Sequence, residues 1–116
     1  MTEEFDIRPW GNYLVLSNKP NHKVKRITVS PGSRLSLQKH EKRQEHWYFV
    51  SGQGEVTIDE KIIKVTSNEA VDIPLTAVHR VANTSSSEDL VFIEIQTGEY
   101  FGEDDIIRLE DDYNRN

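Results

Sequence analysis

At 116 residues the chain has material for one hydrophobic core and too little for two, so a single domain over residues 1–116 is expected. Twenty acidic residues against fourteen basic ones leave a formal net charge of −6, which argues against general attraction to nucleic acid or to an anionic membrane. The absence of cysteine excludes disulfides, thiolate nucleophiles and cysteine-ligated metal sites, so any metal must be held by histidine, carboxylate or amide oxygen.

From the N-terminus onward, Met1-Thr2-Glu3-Glu4-Phe5 lacks the basic start and apolar core of a secretory signal. No later apolar run approaches the roughly 20 residues of a membrane span, so a cytoplasmic protein is expected. The pattern that follows has the period of strands, broken repeatedly by turn formers. It predicts strands at Tyr13 to Ser17, Lys23 to Val29, Arg34 to His40, Glu45 to Ser51, Gly54 to Ile58, Lys61 to Val65, Ala70 to Ile73, His79 to Ala82 and Leu90 to Thr97. Asn18-Lys19-Pro20-Asn21, Ser30-Pro31-Gly32-Ser33, Ser51-Gly52-Gln53-Gly54, Asp59-Glu60 and Thr84-Ser85-Ser86-Ser87 supply the turns. Only the acidic tail, Glu103 to Asp112, offers a short helix. Many short strands with so little helix point to an all-β barrel or sandwich. With 35% hydrophobic residues, a barrel with a partly polar interior, or one sheet covered by a second subunit, fits better than two apolar faces.

Two stretches carry chemistry. Gln38 and His40 stand two apart, so on a strand both side chains leave the same face, as two ligands converging on one ion must. Glu45 opens the next apolar run after a charged bend, and His79 completes a ligand set from a distant segment. Two imidazoles, a carboxylate and an amide oxygen suit Zn and also accept Mn, Fe, Co or Ni, with positions left open for water.

The spacing of Gly32, Gln38, His40, Glu45 and Gly52, followed by Asn68, Pro74, Thr76, His79 and Asn83, resembles the paired motifs of the cupin superfamily, small double-stranded β-helix (jelly-roll) barrels that bind a metal. Gln38 stands where most cupins have a histidine, and Asn68 and Thr76 replace glycines. The glutamine, with Arg8-Pro9-Trp10-Gly11-Asn12-Tyr13, Arg43-Gln44-Glu45-His46-Trp47, His79-Arg80, Ile93 to Tyr100 and the tail Gly102 to Asp111, is similar to one branch, the type II phosphomannose isomerases. In that branch the cupin commonly forms the C-terminal part of a fusion with a mannose-1-phosphate guanylyltransferase. No glycine-rich phosphate loop opens a helix here, so guanylyltransferase chemistry is not expected of this sequence.

The resemblance implies a metal-dependent interconversion of mannose 6-phosphate and fructose 6-phosphate, zinc as the metal, and a homodimer. Such an isomerase needs a base and a phosphate clamp. Glu94, between Ile93 and Ile95, and Lys25 are both candidates for the base. Arg43, Arg80 and Arg8 are candidates for the phosphate, with Arg43 and Arg80 expected to flank the opening of the site. Strand alternation turns Arg80 away from the face of His79 unless the backbone bulges there.

Plainer roles compete with each of these. Arg43 and Arg80 could be surface salt-bridge partners, and Glu94 a structural carboxylate. His46 faces away from Glu45 and reads as an ordinary packing residue, and His22 as a solvated one. Trp10, Trp47, Tyr48 and Phe49 read as core or interface aromatics, one of which could wall the pocket. The acidic runs at Glu103 and Glu110 read as a solvated tail rather than a second cation site. Against the isomerase stands a catalytically silent cupin that binds a sugar or sugar nucleotide and regulates a partner enzyme. Oxygen-dependent or epimerising metal chemistry is disfavoured by Gln38.

Overall fold

A computed structural model describes residues 4–114, which form eleven strands and no helix. These are β1 (Glu4–Arg8), β2 (Gly11–Lys19), β3 (His22–Val29), β4 (Leu37–Lys39), β5 (Arg43–Ser51), β6 (Gln53–Ile58), β7 (Lys61–Thr66), β8 (Ala70–Ile73), β9 (His79–Asn83), β10 (Leu90–Gly98) and β11 (Ile107–Glu110). They build a six-stranded sheet in the order β1-β2-β3-β10-β5-β8 and a five-stranded sheet in the order β11-β4-β9-β6-β7. Every pairing is antiparallel, and the two sheets enclose the core as a small double-stranded β-helix.

Cross-strand register converts the alternation of the sequence into layers. Phe92 lies opposite Phe49 on one side and Ile27 on the other, an apolar row with ring centroids of Phe49 and Phe92 5.1 Å apart. One step along, Glu94 lies between Trp47 and Lys25; the next row is Glu45, Gln96 and Lys23. The inner face of this sheet therefore changes from hydrocarbon to charge along the strand direction. Phe49, Phe92, Val29, Val56, Val81 and Leu90 are fully buried at the apolar end, each contributing about 1.5–3 kcal/mol. That end holds the barrel together, which leaves the other end available for polar chemistry.

Three elements differ from the expectation. The strand expected from Arg34 to His40 contracts to β4, with Arg34 making only an isolated bridge to Ala82. β1 was not anticipated, because Phe5 and Ile7 are 57% and 76% exposed and present no inward apolar face; ladder pairing with β2 makes it a strand. The tail forms no helix. Ile107, Arg108, Leu109 and Glu110 alternate with a period of two, and β11 pairs with β4, placing Arg108 opposite Gln38.

Asn68 and Thr76, where cupin motifs carry glycine, both adopt left-handed backbone angles, with φ of 70° and 66°. Asparagine tolerates that region. A β-branched threonine there is strained, and the strain lies three residues before His79.

Candidate metal centre

The site lies at the charged end of the barrel, where both sheets contribute. β4 pairs with β9 through Gln38 and His79, which sets an amide opposite an imidazole. His40 follows at the end of β4, and Glu45 enters from β5 of the other sheet. Ligand atoms of His40, Glu45 and His79 all lie within 4.8 Å of one another, and the two imidazole centroids are 5.1 Å apart. Gln38 lines the same cavity. All four residues are buried.

Neighbouring groups orient each donor. The His40 Nδ1–H donates to the carbonyl of Asp105 at 2.6 Å and the His79 Nδ1–H to that of Ala77 at 2.9 Å. Both tautomers are thereby fixed with the lone pair on Nε2, the arrangement usual for histidine ligands; in His40 that lone pair accepts from Arg43 Nη2 at 3.2 Å, a contact an ion would replace. Glu45 accepts from Trp47 Nε1 on one oxygen and from Arg43 Nε on the other, each at 2.8 Å. Burial pushes the His40 imidazole down to about 4. Burial opposes ionisation of Glu45, yet Arg43, His40 and His79 outweigh it and hold this carboxyl well below the usual carboxylate range. At neutral pH His40 is therefore neutral and Glu45 charged, the states in which both bind metal. The donor set, its tautomers and its protonation fit a divalent cation.

The cavity beside these donors holds about 70 Å³ and is lined also by Arg8, Tyr13, Lys25, Arg43, Glu94 and Glu103. Glu94 is buried and accepts a hydrogen bond from Gln96 Nε2 at 2.7 Å. Burial, with the Glu45 carboxylate close by, pushes the Glu94 carboxyl up to about 8. Lys25, its cross-strand neighbour, lies with Nζ 4.1 Å from the Tyr13 ring centroid and 2.5 Å from Glu103 Oε2. Arg8 reaches the cavity wall while donating to Asp6 at 2.8 Å and to the Tyr13 hydroxyl at 3.3 Å.

Two arginines are not where the sequence suggested. Arg43 does not flank the opening; it is buried, and besides bonding Glu45 its Nη2 donates to His40 Nε2 at 3.2 Å. Inward alternation with Glu45 on β5 draws it into the donor cluster. Arg80 does not line the cavity at all. The register of β9 against β6 runs without a bulge through His79 and Arg80, so the two side chains leave opposite faces. Arg80 Nε donates to the Leu35 carbonyl at 2.8 Å and its Nη atoms reach Glu110, fastening β11 to the barrel. Arg80→Leu is therefore expected to lower stability by about 1–3 kcal/mol in urea melts while leaving metal binding unchanged. A loss of metal binding with stability unchanged would restore Arg80 to the site.

His46 points outward and bonds Asp72 at 2.6 Å, and His22 bonds Asn21. Trp10 and Trp47 both wall the cavity, whereas Tyr48 is exposed. Sequence reasoning missed Glu103, Tyr13, Ser36 and Arg108 among the lining residues. Tyr13 and Arg108 occupy inward positions that strand alternation, applied to β2 and the tail, would have flagged. Glu103 sits in a loop, where no periodicity operates.

With this geometry established, comparison with known proteins gives a consistent answer. The family model "Mannose-6-phosphate isomerase C-terminal" matches residues 2–111. The chain belongs to that family. Its relatives include the alginate biosynthesis protein AlgA of Pseudomonas aeruginosa, 51% identical over 108 residues, and the xanthan biosynthesis protein XanB of Xanthomonas campestris, 49% identical over 108. Each alignment covers 93% of this chain but only 22% and 23% of the relative, so the chain spans less than a quarter of their length. Among solved structures, the cupin-2 domain protein Rru_A2000 of Rhodospirillum rubrum superposes with a TM-score of 0.75 at 17% identity, covering 89% of this chain and 78% of that one. That likeness establishes the cupin fold for this member of the mannose-6-phosphate isomerase C-terminal family. No helix among its described residues is long and apolar enough to cross a membrane.

Proposed function

We propose that this chain interconverts mannose 6-phosphate and fructose 6-phosphate, with Glu94 as the proton-transfer group. The observation that carries the reading is the meeting, in one cavity, of a His40–Glu45–His79 donor cluster with a buried carboxyl whose proton affinity lies near neutral pH. A divalent cation held by Gln38, His40, Glu45 and His79, zinc being our reading of the donor set, would stabilise negative charge on the sugar oxygens O1 and O2.

The chain's own residues do the rest. Glu94 takes the proton from C2 of the open-chain aldose and returns one to C1, while the O2 proton passes to O1. Atoms and charge balance, and the ketose results. A carboxyl titrating near 8 suits both halves of this transfer, because a group matched to the working pH gives up a proton as readily as it takes one. Trp47 and Trp10 exclude water from the reacting carbons. Lys25, already paired with Glu103, suits an anion partner better than a proton acceptor, so of the two candidate bases we choose Glu94.

The test couples metal analysis by mass spectrometry with an assay for fructose 6-phosphate. About one metal per chain together with turnover of mannose 6-phosphate is the expected result. Full metal occupancy with no turnover on any hexose phosphate would overturn the isomerase and leave a sugar-binding cupin.

A further inference from the structure

The cavity is too small for its proposed occupant. A space of about 70 Å³ takes a few waters at roughly 10–15 Å³ each, whereas pockets that enclose small-molecule ligands run to about 300–1,000 Å³. Something must move to admit a phosphorylated hexose, and the contacts of Glu103 identify what.

Glu103 Oε2 lies 2.5 Å from Lys25 Nζ and 3.7 Å from Lys23 Nζ. The two lysines are only 3% and 6% exposed, whereas the Glu103 side chain is 41% exposed. Lys25 belongs to the cavity; Lys23 belongs to a second recess of about 310 Å³ lined also by Lys19, Tyr100, Phe101 and Gly102. The carboxylate thus lines the cavity and reaches the lysine that lines the recess. Arg43, also in the cavity wall, has its Nη1 buried without a hydrogen-bond partner among the described residues, a donor left over for something that enters.

The loop that carries Glu103 is clamped at both ends, and between them its contacts are local: Lys42 Nζ lies 5.4 Å from the Tyr100 ring centroid and Asp105 N donates to the Gly102 carbonyl at 3.2 Å. Glu99 N donates to the Lys42 carbonyl at 2.9 Å, and the Asp105 carboxylate accepts from Glu41 N and Lys42 N at 3.1 and 3.0 Å. Within residues 100–104, Tyr100 bonds Asp104, so the tip is tied to itself. Its link to the barrel interior is Glu103.

We infer that Glu103 is a displaceable stand-in for the substrate's phosphate: it fills an anion seat formed by Lys23 and Lys25, and a phosphate monoester expels it by swinging residues 100–104 outward, joining cavity and recess. Two buried ammonium groups without a counter-charge would be costly, and Glu103 supplies that charge while the site is empty. A phosphate carries nearly twice the charge and three acceptor oxygens, so it can replace one carboxylate against both lysines and reach the spare Arg43 donor. The proposed isomerase reading supplies the phosphate monoester, and to that extent this inference rests on it.

The experiment titrates inorganic phosphate into the protein by calorimetry, both metal-loaded and after EDTA treatment. Glu103→Gln, which keeps shape and removes charge, should bind phosphate about tenfold more tightly than the native chain at low salt. Adding Lys23→Met or Lys25→Met to that variant should weaken binding again by about fivefold or more. Glu103→Ala serves as a second variant, and melting curves verify that each chain is folded. An unchanged phosphate affinity in both Glu103 variants overturns the inference, even if mannose 6-phosphate is turned over. Tighter phosphate binding without turnover on any hexose phosphate upholds the latch and discards the isomerase.

Discussion

Replacing His40 or His79 by alanine is expected to abolish divalent-metal binding and, under the proposed isomerase function, to lower kcat/KM for mannose 6-phosphate by about a thousandfold, several kcal/mol of lost charge stabilisation. Each imidazole turns its Nε2 lone pair inward because its Nδ1–H is committed to a backbone carbonyl, and alanine supplies no donor in its place. Loss of an outer contact to a metal ligand typically costs 10–100-fold in affinity, and loss of the ligand itself should cost at least about 100-fold. The fold should survive. Both histidines lie at the polar end, while Phe49, Phe92, Val56 and Val81 hold the other end of the barrel independently of any ion. The two variants should nevertheless differ in stability, because His40 also holds Asp105, and with it the loop carrying Glu103; His79 packs edge-on against Trp47 at 5.7 Å. Metal analysis and circular dichroism check the pair together. Wild-type metal content in both variants would mean that the cluster is not the metal site.

The donor set was legible in the sequence because strand alternation is a strong constraint. Gln38 and His40 share a face, His46 must turn away from Glu45, and Glu94 must oppose Ile93 and Ile95; all of these hold in the fold. Alternation gives the face but not the depth. Arg43 was assigned to the opening as a phosphate clamp two residues before Glu45, whereas Glu45 and His40 supply enough compensation to bury it. Arg80 was doubtful on the same rule, and an unbroken register decides against it. The tail was misread because its acidity suggested solvation, while Ile107 and Leu109 alternate as a strand does. Glu103 was beyond reach. Its role depends on a loop closing across the barrel to lysines 78 and 80 positions earlier, and no local pattern encodes such a closure.

The same depth makes Glu94 a test of both chemistry and stability. Glu94→Gln should lower kcat by about 10²–10⁴-fold, the usual contribution of a positioned acid–base group, while leaving metal content and sugar affinity in place. Gln96 can still bond the amide, so packing is preserved. Stability should move the other way. Burial and Glu45 raise the Glu94 carboxyl to about 8, against an ordinary value of 4.5, so between those limits the folded chain binds a proton that the unfolded chain has lost. The Glu94 contribution to stability is therefore complete below about pH 4.5, falls as pH rises above that, and is lost by the time pH has climbed through 8, where the proton leaves and two buried carboxylates face each other. Between pH 7 and 9 this group alone should cost metal-free wild-type protein on the order of 1 kcal/mol. Glutamine carries no such charge, so the variant should show a flatter profile and, at pH 9, the greater resistance to urea. His40, depressed to about 4, acts only at lower pH and does not blur this window. A variant that loses activity and yet follows the wild-type pH profile would mean that Glu94 is not the raised carboxyl; one that keeps full activity would take the proton transfer away from it.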